Sequence, residues 1–181
     1  MDIKVKVENI VSAITIDQKI DLKGLFERAK GLEYNPERFP GAVYRIKEPK
    51  LAMLIFGSGK IICTGARSRE DITIAVEKLV KKLAESGIII KAEPKVEIQN
   101  IVASADMGFK VNLDVLAMKC ENTEYEPEQF PGLVFSLDEP RTVMLVFRSG
   151  KMIITGAKTP DAVKLAAERT KKAIEEIGAV T

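Results

Sequence analysis

A chain of 181 residues, 46% apolar and 30% charged, has an ordinary globular composition and enough length for one sizeable core or two small ones. No window holds the roughly 18 uninterrupted apolar residues of a bilayer span, and the opening MDIKVKVEN lacks the apolar centre of a secretory signal, so an intracellular protein without a membrane partner is expected. Histidine is absent and the two cysteines, Cys63 and Cys120, sit in unlike contexts, which argues against metal sites, haem and His-based acid–base chemistry, while a net charge of +2 is too small to name a partner.

In chain order, VKVENIVSAITI alternates and is rich in Val and Ile, which predicts a strand. DLKGLFERAK follows, with Leu22, Leu25, Phe26 and Ala29 at helical spacing behind an Asp21 cap. Residues 36–41, PERFPG, read as a tight surface turn: proline fixes φ, glycine accepts positive φ, and Phe39 stands between them. AVYRI and LAMLIF are strand-like and separated by KEPK, and LIF-GSG-KIICTG reads as a hairpin around a glycine turn. The GSGK string is not a phosphate loop, because Leu54 stands where that motif needs glycine and Ile61 where it needs Ser or Thr. A long amphipathic helix over 69–86 carries Ile72, Ala75, Val76, Leu79, Val80 and Leu83 on one stripe and stops at Gly87. Its lysines Lys78, Lys81 and Lys82, and later Arg169, Lys171 and Lys172, read as a solvated face.

The series then repeats. Shifting the chain by 91 positions aligns 8–87 with 99–178 without a gap, and about 30 of the 80 pairs are identical. The turn returns as PEQFPG at 127–132, with Phe130 in the place of Phe39. Such a period is too long for a solenoid and predicts a doubled domain, 1–90 and 91–181, related by a pseudo-two-fold axis. Charge does not repeat: 16 Lys and Arg stand against 12 Asp and Glu over 1–90, about +4, but 12 against 14 over 91–181, about −2. Cys63 pairs with Ile154 and Cys120 with Ala29 across the repeat, as inert packing residues do.

Two helices per half can cover one face of an antiparallel sheet, yet LAMLIF is apolar at successive positions, hence on both faces. Parity assigns Val7, Asn9, Val11, Ile62 and Thr64 to the bare face, and Ile10, Ile61 and Cys63 to the helix-packed core. The bare face is expected to carry almost no carboxylate and to be rimmed by cations. An apolar surface of that kind is an interaction site, and its partner is apolar at the centre and anionic at the border, as an opened DNA minor groove is. A face that stacks into a homodimer, or one that binds peptide or lipid, is the alternative; no nucleophile–base pair or acid dyad suggests an enzyme.

The strings QNIV, EYEPEQFPG and SGKMIITGAK, with their partners ENIV, EYNPERFPG and SGKIICTGAR, resemble the TATA-binding proteins of archaeal and eukaryotic transcription through essentially the whole chain. FPG in both loops, with no long N-terminal extension, looks archaeal. The resemblance implies an α+β fold: an internally duplicated saddle, a curved ten-stranded antiparallel sheet with helices on the convex face only. It implies a cytoplasmic, nucleoid-associated factor without enzymatic activity or cofactor. Such a factor recognises and bends the TATA box of promoter DNA and recruits transcription factor B and RNA polymerase into a pre-initiation complex; a homodimer off DNA is a further expectation. By the same resemblance Phe39, Phe56, Phe130 and Phe147 wedge between base pairs. Asn9, Val11, Ile62 and Thr64, and Asn100, Val102, Ile153 and Thr155, face the minor groove. Phosphate contacts fall to Arg38, Arg45, Lys50, Ser58 and Lys60, and to Arg141, Ser149 and Lys151, while Gln129 and Ser136 replace two of the cations. Glu126 and Glu128 lie in the loop where transcription factor B docks.

Overall fold

The computed structural model describes residues 3–181. Within them, one series of elements occurs twice. The first is β1 (Val5–Thr15), α1 (Leu22–Arg28), β2 (Leu32–Tyr34), β3 (Ala42–Ile46), β4 (Leu51–Ile55), β5 (Lys60–Ala66) and α2 (Arg69–Glu85). The second is β6 (Lys95–Asp106), α3 (Leu113–Lys119), β7 (Thr123–Glu124), β8 (Leu133–Leu137), β9 (Thr142–Val146), β10 (Lys151–Ala157) and α4 (Pro160–Glu176). Two compact units are defined by chain contacts, Asn9–Gln99 and a second in which residues 3–8 group with Asn100–Thr181. Strand order is β2-β3-β4-β5-β1 in the first and β6-β10-β9-β8-β7 in the second, with antiparallel pairing inside each. This is the duplicated α+β class expected.

The helices begin and end where the sequence signals lie. Asp21, Ser68, Asn112 and Thr159 cap the four N-termini by accepting from a backbone N–H three residues on. α2 ends as Gly87 takes φ +87°, letting Ile88 N–H donate to the Leu83 carbonyl at 2.9 Å. Ile72, Ala75, Leu79 and Leu83 form its buried stripe, and Val163, Ala166, Ala167, Thr170 and Ile174 that of α4. Phe26 departs from the expected pattern: it is 43% exposed and rests edge-on against Tyr34, while Leu22 and Leu25 bury α1.

The outer cations of the long helices are not simply solvated. Lys78 Nζ donates to the Glu48 carbonyl at 2.5 Å, and Arg169, its counterpart in the repeat, donates to the Glu139 carbonyl. Lys82 donates to the Lys30 carbonyl at 3.0 Å and lies over the Tyr44 ring. These side chains strap loops to helices, while Lys81 is exposed and Lys172 pairs with Glu176.

Strand parity separates two faces. Leu51, Met53 and Ile55 are buried while Ala52, Leu54 and Phe56 are half-exposed; Ile61 and Cys63 are fully buried while Ile62 and Thr64 are not. Burial pushes the Cys63 thiol above its ordinary pKa, so it stays protonated and inert in the core. Opposite it sits Ser12, fully buried, whose hydroxyl has only that thiol within reach, a weak partner. The repeat places Ala103 at the same position, also fully buried. An unsatisfied buried hydroxyl costs about 1–3 kcal/mol. Ser12→Ala is therefore expected to raise the midpoint of urea unfolding with an unchanged m-value; a lower midpoint would show that the Ser12–Cys63 contact is worth more than the hydroxyl's desolvation.

Candidate nucleic-acid interface

In the Asn9–Gln99 unit, cross-strand pairing fixes which side chains share the uncovered face. Leu54 lies opposite both Val43 and Ile62, and Ala52 opposite both Arg45 and Thr64. In the other unit Leu145 lies opposite Val134 and Ile153, Val143 opposite Ser136 and Thr155, and Ile153 opposite Ser104. Ile62 and Thr64 therefore occupy the face assigned to them by parity, and Ile153 and Thr155 the corresponding face of the second unit. Leu54, Val43, Leu145, Val134 and Val143 belong there too, although sequence reasoning did not single them out; the signal was the uninterrupted apolar run of each strand. Val143 and Ile153 are each 36% exposed.

Asn9 and Asn100 are placed by a backbone irregularity. Pairing of β1 with β5 slips between Ile10 and Ser12, and that of β6 with β10 between Ile154 and Ala157, so one extra residue bulges around Gly65 and Gly156. Those glycines take φ +105° and +100°. A bulge leaves an N–H without a ladder partner. The asparagine supplies one: Gly65 N–H donates to Asn9 Oδ1 and Gly156 N–H to Asn100 Oδ1, each at 2.6 Å. The amide nitrogens then donate to Thr64 Oγ1 at 3.2 Å and Thr155 Oγ1 at 3.1 Å. An Nδ2 carries two hydrogens, so each asparagine keeps one donor free on a half-exposed side chain. Val11 and Val102 flank them, likewise half-exposed.

Val7 does not share this face. With Ile3 and Val5 it lines a cleft against Pro160, Asp161, Val163 and Lys164 at the start of α4. Glu8 turns the other way, and its Oε1 accepts from Ser104 Oγ at 3.4 Å. Successive residues Glu8 and Asn9 thus both face the open side, which simple alternation from Ile10 cannot anticipate. The face also holds more carboxylate than expected, since Glu8 and Glu33 both reach it, but each lies beside a cation: Lys6 at 3.7 Å and Arg45 at 3.5 Å. Exposed pairs of this kind are worth about 0–1 kcal/mol.

At one end of each face stands an aromatic pair. Phe39 meets Phe56 edge-on at 5.7 Å between centroids, and Phe130 meets Phe147 at 5.9 Å. Phe39 and Phe130 are 37% and 42% exposed, Phe56 and Phe147 half-buried beneath them. The turn that carries the outer ring is closed by Phe39 N–H donating to the Asn35 carbonyl and Phe130 N–H to the Glu126 carbonyl, both at 3.0 Å. Its glycine serves another purpose than the one expected: neither Gly41 nor Gly132 adopts positive φ. A Cβ on Gly41 would stand 2.9 Å from Phe39 and 3.1 Å from Phe56, and one on Gly132 would stand 2.7 Å from Phe130 and 3.0 Å from Phe147. Glycine is there because the rings close over its Cα.

Arg38, Lys50, Ser58 and Lys60, and Arg141, Ser149 and Lys151, are exposed, and among the described residues none of these cations makes an ion pair. Glu126 and Glu128 are exposed on the second turn, with Glu121 and Glu124 close in sequence. Among the described residues no group of His, Cys, Asp or Glu could hold a metal, and no helix is long and apolar enough to cross a membrane.

The family described as transcription factor TFIID, or TATA-binding protein, matches this chain twice, over residues 4–86 and 95–177. The chain belongs to the TATA-binding protein family. It is 50% identical to the TATA-box-binding protein of Archaeoglobus fulgidus over 179 residues, covering 98% of both chains, and 49% identical to that of Methanothermobacter thermautotrophicus over 176 residues, covering 97% of both. The solved structure of Methanococcus jannaschii TBP matches it with a TM-score of 0.89 at 47% identity, over 96% of this chain and 99% of that one. TATA-binding proteins are transcription factors rather than enzymes, and the membership places the chain with archaeal members of the family.

The glycine geometry yields a test. Gly41→Ala, whose methyl also meets the Ile55 carbonyl at 3.1 Å, should cost about 1–3 kcal/mol in thermal unfolding, as overpacked sites do. Gly132→Ala meets only ring edges and should cost less, moving Phe130 off Phe147 instead. Aromatic proton shifts that stay at their wild-type values in Gly132→Ala would show that the rings do not need the bare Cα.

Proposed function

We propose that the chain recognises TATA-type promoter DNA through the open face of each unit, bends it by inserting phenylalanines, and recruits transcription factor B and RNA polymerase. The observation that carries this is the clasped asparagine. With Oδ1 committed to the bulge N–H, the free hydrogen on Nδ2 points a fixed donor at the acceptors that A·T pairs present in the minor groove. The surrounding Val, Leu, Ile and Thr offer nothing to a guanine amino group, whose stranding costs about 1–3 kcal/mol. Relatives bearing the name TATA-box-binding protein support the same reading.

The aromatic pairs supply the bend. A ring entering a base step replaces lost stacking, but unstacking costs a few kcal/mol, so flexible TA-type steps are favoured over stiff ones. The cations Arg38, Arg45, Lys50, Lys60, Arg141 and Lys151, with the hydroxyls of Ser58 and Ser149, hold the backbone on either side. Duplex binding across a salt series tests this: each phosphate neutralised contributes about −0.9 to the slope of log K against log salt, so several contacts give a steep line. A flat line at weak affinity would remove DNA as the ligand and leave homodimerisation or peptide and lipid binding. Phe56→Ala and Phe147→Ala should lower affinity and bending, measured by fluorescence energy transfer between duplex ends, and leave a folded protein. Lost stability with unaltered bending would make these rings core.

For the partner, the exposed Glu126 and Glu128 suit a basic protein surface, with Glu126 replacing Asn35 of the first repeat. Glu128→Arg is expected to spare DNA affinity and weaken assembly of transcription factor B onto the complex in a gel-shift titration. Equal loss of both would place Glu128 elsewhere.

A further inference from the structure

The repeat assigns the opening residues to the first half, but their contacts lie in the unit of Asn100–Thr181. There Ile3, Val5 and Val7 turn toward α4. Lys4 and Lys6 turn to the opposite side and, with Asp106, Phe147, Ser149 and Lys151, line an open groove of about 560 Å3. Both lysines are exposed, and Lys6 leans on Glu8 at 3.7 Å. Three lysines and a serine hydroxyl therefore stand around a half-buried phenylalanine. The carboxylate facing them, Asp106, is partly occupied by accepting from Gly108 N–H at 2.9 Å.

This unit has no cation at two positions where the other has one: Gln129 stands for Arg38 and Ser136 for Arg45. The groove offers a replacement from a different strand. The counterparts of Lys4 and Lys6 in the repeat are Lys95 and Glu97, so the charge of Lys4 is repeated while that of Lys6 is reversed, and it is Lys6 that adds positive charge to this end of β1.

We infer that Lys4 and Lys6 bind the sugar–phosphate backbone of the duplex beside the base step that Phe147 enters, supplying phosphate contacts that the second repeat lacks. The inference rests on the DNA reading above. A lysine is a suitable residue here because a long stem reaches a backbone whose path shifts when the duplex bends, and an ammonium needs no fixed geometry to meet a phosphate. The Lys6–Glu8 contact, at an exposed site, holds the side chain near the groove without competing strongly with a phosphodiester.

The test compares wild-type full-length chain with Lys4→Gln/Lys6→Gln on a TATA duplex over a salt series, with thermal unfolding as the control for folding. Two lost phosphate contacts should flatten the slope of log K against log salt by roughly 1.8 and weaken binding several-fold at low salt, with little change in melting temperature. A second arm scans methylphosphonate linkages, one neutral phosphate at a time along each strand. One or two positions should weaken wild-type binding but leave the double variant indifferent. A steep wild-type line with a parallel line for the variant would overturn the role of these lysines and leave the DNA reading standing. A flat wild-type line would overturn both.

Discussion

The sheet is ten-stranded, and in each repeat its five strands have two apolar faces and helices for one of them. β4 shows the conflict within five residues: Leu51, Met53 and Ile55 are buried beneath helices, and Ala52 and Leu54 are left half-exposed beside them. Full burial of a Leu or Ile side chain is worth about 1.5–3 kcal/mol, so each half-exposed Leu54, Ile62, Leu145 or Ile153 leaves on the order of 1 kcal/mol unrealised in the free protein. A partner that covers the face recovers that sum. It is comparable with the few kcal/mol needed to unstack a base step, which is why an apolar face, and not a cationic one alone, suits a ligand that must be deformed to fit. On the proposed function the aromatic pairs follow the same logic, since a ring already presented at the surface would lose little conformational freedom on entering a base step.

Specific chemistry enters that face by way of the backbone. Asparagine in a strand surrounded by Ile and Val is poorly matched to its neighbours, and two hydrogen bonds explain why it stays. The bulge at Gly65 or Gly156 strands an N–H, the asparagine oxygen takes it, and the threonine hydroxyl takes one amide hydrogen. The arrangement removes the two-fold ambiguity of the amide, because only the oxygen can accept from a backbone N–H. A side chain so fixed holds its oxygen against the backbone and turns a free donor outward. Replacing either glycine would strain a backbone at positive φ, so bulge, asparagine and threonine form one unit that the duplication copied whole.

Much of this was legible in the sequence because the fold is periodic where it matters. Alternation in KIICT separated the faces, Asp21 and Gly87 marked the start of one helix and the end of another, and the repeat showed which features occur twice. What was not legible depended on register. Alternation fails along β1 between Val7 and Asn9, so Val7 falls on the helix side although it stands two residues from Asn9, and Glu8 reaches the open face. Turn chemistry misled in the same way: Pro-Gly signals a positive φ, and the actual constraint at Gly41 and Gly132 is two phenyl rings brought over the glycine by residues on separate strands and loops. Leu54 and Leu145 went unremarked because an apolar strand residue carries no signal of which face it joins until its partner is known. The straps from Lys78 and Arg169 could not be read either, since they join residues 30 positions apart with no local pattern.

The two halves agree in shape-giving residues and differ in charge, and the division has a consequence for direction. Phenylalanine pairs, bulge glycines, asparagines and threonines are the same in both, so on the proposed function these residues alone would not distinguish the two directions of a duplex. Around them the repeats diverge: Arg38 against Gln129, Arg45 against Ser136, Asn35 against Glu126. These substitutions lie at the rim and on the turn, where a charge change costs little stability because water still solvates it. Rim charges alter encounter and partner choice more than they alter the packed centre. On the proposed function, a duplication can therefore keep one way of holding bases in both halves while the exposed charges, free to vary, come to tell one end from the other.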